Sequence, residues 1–282
     1  MNPSQAASPV DRARKMSDLR PRVISGLVLG VVAAAAISIG GWATTILVAI
    51  AAAAMAWEYR DITLGAGTSQ AGRITYSSIA AAGPILAHLT ENILFGAAAA
   101  ALGALGFWLY DARKGRDARW GGLGLGLVIF STSAFVLLRD QEMFGFETIV
   151  WLVLVVVGTD VGGYFAGRAI GGPKLAPRLS PGKTWSGLGG GVALAAAIGS
   201  VFSALTTGTW VHEVVTVSVA AALVAVAGDL AESALKRRFG VKDASRLIPG
   251  HGGVLDRVDG LMAATLVAAA VTFARGKEVF IW

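Results

Sequence analysis

Apolar residues run in long blocks separated by short polar connections along nearly the whole chain. After a polar opening that includes Pro3, Ser4, Ser8 and Pro9, the blocks cover roughly residues 23–40, 42–57, 74–90, 92–110, 121–139, 147–167, 187–206, 212–232 and 258–275. A helix needs about 20 apolar residues to cross a hydrocarbon core. The pattern therefore predicts an all-α fold, a polytopic transmembrane helical bundle of about nine spans. The block from Val23 is too long for a signal peptide and continues past Gly40 and Gly41, which predicts an uncleaved pair of spans. The third block is the weakest, because Pro84 interrupts it. Residues 1–22 are expected as a disordered basic cytoplasmic tail. Residues 23–145 follow as amino-terminal membrane helices, and 146–282 as a catalytic membrane region with site loops at 167–186 and 233–257.

Composition agrees with the pattern. Of 282 residues, 55% are hydrophobic and only 15% charged, with a mean hydropathy of +0.64. A soluble domain carries about 25% charged residues, so this chain lacks the polar surface to coat a globule in water. The net charge of +6 and pI near 9.9 would suggest nucleic acid in a soluble protein; here basic loops that face anionic lipid explain them better. With nine spans, all 24 Lys and Arg residues except Arg139, Arg275 and Lys277 fall on one side. That asymmetry places the amino terminus in the cytoplasm. The chain has no cysteine, and His88, His212 and His251 stand far apart, which argues against a zinc site. A metal would have to be held by carboxylates, pointing to Mg²⁺ or Mn²⁺. Glycines recur at four-residue spacing, as at Gly158/Gly162, Gly163/Gly167, Gly122/Gly126 and Gly187/Gly191, and predict tight helix packing.

Two stretches do not look like ordinary connectors: residues 160–187 and residues 228–260 mix acids, bases, prolines and glycines at the membrane surface. In the second, a helix continuing past the apolar block would carry Asp229, Glu232, Ser233 and Lys236 on one face. An acid near the end of a span is costly unless it is paired, hydrated or metal-bound. Then come the basic run Lys236, Arg237, Arg238 and Lys242, a turn from Pro249 to Gly253, and Asp256, Arg257 and Asp259 leading into the last block. Glycines in such a turn let backbone N–H groups approach an anion. Carboxylates on two adjacent helix ends with basic residues between them fit a metal–phosphate site. Spacing alone leaves a synthase and an anion transporter both open. Ser180-Pro-Gly-Lys-Thr184 ends like a phosphate-binding P-loop, but that motif needs glycine where Pro177 stands.

The run Ser233 to Asp259, with Lys236-Arg237, Lys242-Asp243, His251-Gly252-Gly253 and Asp256-Arg257-x-Asp259, resembles the signature of the phosphatidate cytidylyltransferase (CDP-diacylglycerol synthase) family. Gly228-Asp229, Glu232, Tyr164 to Arg168, Lys174 to Pro177 and Ser180 to Trp185 resemble it too. About the last 130 residues carry the likeness; earlier residues match only in hydropathy and in Glu58. Where that family leads one to expect an acid after the tryptophan, this chain has Ser186.

The resemblance implies transfer of the cytidylyl group of CTP to phosphatidate, giving CDP-diacylglycerol and pyrophosphate for phospholipid biosynthesis. It implies Asp229 and Asp256 as metal ligands for Mg²⁺ (or Mn²⁺), with Asp160 and Lys236 beside them in catalysis. Ser180, Lys183, Thr184, Ser233, Arg237, Lys242, Asp243, His251, Arg257 and Asp259 are the expected substrate contacts, His251 in a structural or phosphate-contacting role rather than as a base. The partners implied are CTP, phosphatidate from the inner leaflet and membrane lipids, without nucleic acid, and with a homodimer left open. The setting implied is a bacterial inner membrane with the site facing the cytoplasm. The competing readings are a polytopic lipid or polyprenol kinase and an anion transporter.

Overall fold

The computed structural model describes residues 9–65, 69–245, 247–248 and 252–282. Among them nine α-helices follow one another: α1 (Pro9–Ile39), α2 (Gly41–Leu64), α3 (Gln70–Thr90), α4 (Ile93–Arg113), α5 (Ala118–Arg139), α6 (Gly145–Ile170), α7 (Trp185–Thr207), α8 (His212–Arg238) and α9 (Leu255–Arg275). A short antiparallel hairpin, β1 (Lys174–Ala176) and β2 (Ser180–Thr184), stands between α6 and α7. Seven of the helices are long and apolar enough to cross a membrane; α3 and α1, whose apolar part is Val23–Ile39, are not among them. The molecule is an integral membrane helical bundle.

Two features lie outside the expectations. Residues from Pro9 to Arg22 continue α1 instead of forming a disordered tail. Pro9 stands at a position proline favours in a first turn, and Ala13, Arg14, Lys15, Met16 and Leu19 are good helix formers. The hairpin, too, was not expected in an all-α reading. In addition, helices outrun their apolar blocks, α8 reaching Arg238 and α9 beginning at Leu255. Hydropathy falls at the first charges, but the backbone hydrogen-bond ladder does not need apolar side chains to continue.

Contacts sort the helix ends into two groups, as an up-and-down bundle requires. At one end His88 Nδ1 meets Asp140 Oδ2 at 2.6 Å, Arg139 Nε donates to the Ile37 carbonyl at 2.6 Å, and Glu278 accepts from the Phe144 amide at 2.6 Å. At the other, Arg60 on α2 makes a bidentate pair with Asp111 on α4, at 2.6 and 2.7 Å, wholly buried. Arg60 thus belongs to a packed helix rather than to a loop.

The core has two parts. Trp151, Leu152, Val155, Ala221, Ala225 and Ala268 form one, among α6, α8 and α9. Ala56, Tyr76, Leu125 and Ile129 form the other around α2, α3 and α5, and it includes Ala244 and Leu255 from the second site stretch. α6 and α7 approach backbone to backbone, as the glycine spacing predicted: a Cβ on Gly162 would lie 2.6 Å from the Gly190 carbonyl oxygen. That contact fixes the last turns of α6 against the hairpin that leads into α7.

Candidate active site

The last turns of α8 carry Asp229, Glu232, Ser233 and Lys236, and the helix does place them on one face. Ser233 Oγ donates to Asp229 Oδ1 at 3.4 Å, and Lys236 Nζ meets Glu232 Oε2 at 2.6 Å. The same ammonium reaches across to α9, meeting Asp256 Oδ1 at 2.7 Å. Oxygens of Asp229, Glu232 and Asp259 all lie within 4.8 Å of one another. Three carboxylates so close repel unless a cation intervenes. Glu232 is only 7% exposed, and its Oε1 has no hydrogen-bond partner. A buried carboxylate oxygen left without a partner is expensive. An all-oxygen, acidic donor set of this kind suits a hard divalent cation such as Mg²⁺.

The sequence reading paired Asp229 with Asp256. In the structure Asp256 serves chiefly the loop before α9: besides Lys236, it accepts from the Ala244 amide at 3.0 Å and the Gly253 amide at 3.0 Å. Glu58, at the end of α2 and 1% exposed, completes this arrangement. It accepts from Ser245 Oγ at 2.6 Å, from the Val254 amide at 2.9 Å and from the Leu255 amide at 2.8 Å. The first amides of a helix lack intrahelical acceptors and carry its positive pole, so a carboxylate there is doubly favoured. Gly253 is required beneath it, since a Cβ would sit 2.8 Å from both Glu58 oxygens. The amino-terminal half of the chain thereby anchors the helix that presents Asp256 and Asp259.

The first stretch arrives by way of the hairpin. Lys174 pairs with Thr184, which aims Lys183 back at the bundle, where its ammonium forms an ion pair with Asp229. Thr184 is the cap of α7, accepting from the Gly187 amide at 3.0 Å. Ser186 hydrogen-bonds to Thr184 and donates to the Gly171 carbonyl, so at this position a neutral hydroxyl ties the hairpin's base. A cavity of about 520 Å³ lies between α6, the hairpin and α7, lined by Asp160, Tyr164, Arg168, Lys174, Lys183 and Thr184 among others. A second, of about 260 Å³, is lined by Asp160, Asp229, Asp256, Arg257 and Asp259. Asp160 and the Lys183–Asp229 pair stand where the two meet.

Of the expected site residues, the structure brings Asp160, Lys183, Asp229, Ser233, Lys236, Asp256, Arg257 and Asp259 into one neighbourhood. Ser180 opens β2 opposite Ala176, at the far end of that strand from Lys183. Arg237, Lys242 and Asp243 are exposed at and just after the end of α8. His251 lies outside the described residues. Two acids were undervalued in the sequence. Glu232 shared a face with Asp229 at the end of an apolar block, and Glu58 stood directly after the block 42–57; in both cases an ionisable group at the edge of a span was the available signal.

The cytidylyltransferase family model matches residues 20–274, both halves of the chain. The chain belongs to the cytidylyltransferase family. It is 41% identical over 249 residues to the phosphatidate cytidylyltransferase of Brucella suis biovar 1 (strain 1330), covering 88% of this chain and 91% of that protein. It is 37% identical over 235 residues to the protein of that name from Pseudomonas aeruginosa, covering 78% and 84%. The Helicobacter pylori protein of that name (strain 26695) matches at 41% over 139 residues, 49% of this chain and 52% of that one. Family membership extends well beyond the carboxyl-terminal signature, into the half that supplies Glu58.

Proposed function

We infer that this chain transfers the cytidylyl group of CTP to phosphatidate, giving CDP-diacylglycerol and pyrophosphate for phospholipid synthesis. The observation that carries this reading is that Lys183 and Lys236, from the two signature stretches, both seat on acids of one cluster beside a cavity that Asp160, Arg168 and Lys174 line. A lipid phosphate oxygen attacks the α-phosphorus of CTP; that P–O bond forms as the bond to the bridging oxygen breaks, and pyrophosphate leaves with the electron pair. The attacking phosphate is already ionised near neutral pH, so the site needs no protein nucleophile and no strong base.

The residues' work is positioning and charge neutralisation. The cavity beside the hairpin is of ordinary ligand size and takes the nucleotide, with Arg168, Lys174 and Lys183 facing its phosphates. Asp229, Glu232 and Asp259 would hold a Mg²⁺ (or Mn²⁺) ion, which when bound supplies positive charge to the phosphate oxygens. Lys236, set between Glu232 and Asp256, keeps the ends of α8 and α9 together despite their like charges. Asp256 and Glu58 hold the loop and the first turn of α9 so that Asp259 faces α8. The site faces the cytoplasm, because nearly all Lys and Arg residues lie at that end.

Purified protein supplied with labelled CTP and phosphatidate should form CDP-diacylglycerol and pyrophosphate, dependent on Mg²⁺ and on the lipid. Phosphorylation of a lipid alcohol from ATP would favour a kinase instead, and uptake of an anion without turnover would favour a transporter.

A further inference from the structure

Lys183 stands between two polar places and belongs to both. Its ammonium pairs with Asp229 Oδ2, and the residue also lines the cavity of about 520 Å³ beside the hairpin, with Arg168 and Lys174. Asp229 lines the smaller cavity of about 260 Å³ and is one of the three clustered acids. With Ser233 Oγ on its Oδ1 and Lys183 on its Oδ2, both Asp229 oxygens are in use. A divalent cation held by Asp229, Glu232 and Asp259 therefore competes with this lysine for Asp229.

The two lysines at the cluster are not held alike. Lys236 rises from α8 itself and meets two acids, Glu232 at 2.6 Å and Asp256 at 2.7 Å, with 13% of its side chain exposed. Asp256 is fixed in turn by the Ala244 and Gly253 amides, so Lys236 keeps a partner whatever happens at Asp229. Lys183 pairs with Asp229 alone among the described residues, and its side chain is 24% exposed. Its backbone is tied down: Thr184, next in the chain, is buried and caps α7, and Ser186 bonds back to the Gly171 carbonyl. What is free to turn is the four-carbon stem, which carries a compact charge on rotatable bonds. One swing of that stem exchanges Asp229 for the cavity.

Resting on the reading above, we propose that Lys183 is a placeholder for the divalent cation: it neutralises Asp229 until the ion binds, and is then displaced into the cavity, where its ammonium meets the nucleotide's phosphates. Three carboxylates within 4.8 Å of one another are then never left bare. The coupling works in both directions. The ion's arrival delivers a phosphate-binding charge to the cavity, and phosphates that draw Lys183 away open Asp229 to the ion. A lysine fixed on Asp229 would only repel the ion, and a lysine belonging to the cavity alone would not touch the acids.

Two affinities of the purified full chain decide the matter. That for Mn²⁺ is read without nucleotide, from the electron paramagnetic resonance signal of the free ion. That for labelled CTP is read in Mg²⁺ by equilibrium dialysis, with no lipid acceptor. Lys183→Met should tighten Mn²⁺ about ten-fold and weaken CTP about ten-fold, opposite shifts from one substitution. Lys183→Gln, uncharged but hydrophilic, should do the same. Lys174→Met, on the opposite strand and lining the same cavity, should weaken CTP and leave Mn²⁺ unchanged. Tighter Mn²⁺ with CTP unmoved would make Lys183 a fixed counter-charge, and weaker CTP with Mn²⁺ unmoved would make it a phosphate contact only; either result overturns the displacement. So does an equal tightening of Mn²⁺ by Lys174→Met, which would be a general effect of lost charge. If the unaltered chain binds both ligands yet forms no CDP-lipid when phosphatidate is added, the preceding reading fails and the two affinities still judge the placeholder; if it does not bind Mn²⁺, the placeholder is overturned.

Discussion

The ion pairs at the end of α8 offer two accounts of the acids. In one, Asp229 and its neighbours hold a cation for catalysis; in the other, they merely pair with Lys183 and Lys236 to keep the bundle closed. Asp229→Asn and Asp259→Asn keep size and remove one charge each. If the acids hold the ion, each variant should lose at least about 100-fold in turnover, roughly 2.7 kcal/mol of transition-state stabilisation. The double variant should be little worse than either alone, because the acids act as a unit. Glu91→Gln, at the carboxyl-terminal cap of α3 and remote from the site, should stay near wild type. Folded, fully active Asp229→Asn protein would leave only the structural account. Glu58 is tested differently. Glu58→Gln sets an amide NH₂ against a hydroxyl and two backbone N–H donors. We expect a stability loss on the order of 2 kcal/mol in a detergent melt, with a fall in kcat as the first turn of α9 loses its anchor. A lowered melting temperature with kcat intact would confine Glu58 to the fold.

At the scale of elements, the contact between α6 and α7 decides whether Asp160 and the hairpin share one cavity. A side chain at Gly162 has no room against the Gly190 backbone, whereas a Cβ at Gly189 meets nothing within 4 Å. Gly162→Leu should therefore destabilise the protein by about 3 kcal/mol and abolish activity, and Gly189→Ala should be neutral or slightly stabilising. A stable, active Gly162→Leu protein would mean that the two helices can separate without harm. The glycine spacing made this packing legible in the sequence. The hairpin was not legible, because its strands are short, contain Pro181 and Gly182, and lack a long alternating pattern. Its register is set by Lys174 opposite Thr184 and by the cap Thr184 provides to α7.

For the whole molecule, the lack of native cysteine permits a clean test of orientation. Single cysteines at Lys114 and Ser245 should be shielded from an impermeant thiol reagent in intact cells, and one at Lys277 should react. Labelling at Ser245 from outside would reverse the membrane assignment of the site. Holding the amino-terminal helices together is a further matter at this scale. The buried Arg60–Asp111 pair, with the guanidinium 5.0 Å from the Tyr76 ring centre and 5.2 Å from that of Phe107, ties α2 to α4. Asp111→Ala would leave that charge buried and unpaired, and should cost about 3–5 kcal/mol of stability without altering the KM for CTP.

The sequence by itself determined the membrane class, the succession of helices, the glycine-lined contacts and the two stretches that carry chemistry. Hydropathy, glycine spacing and charge are properties of neighbouring residues, and they survive without knowledge of the fold. Only the tertiary structure decided which acids meet. Asp256 and Asp259 are one turn apart and of the same residue type, but the rotation of α9 turns one toward Lys236 and the loop and the other toward Asp229 and Glu232. Likewise Glu58 is nearly two hundred residues from the amides it accepts from, and no local pattern announces that partnership. Helix rotation and long-range contact are set by packing across the whole bundle, and that is where the sequence alone stopped.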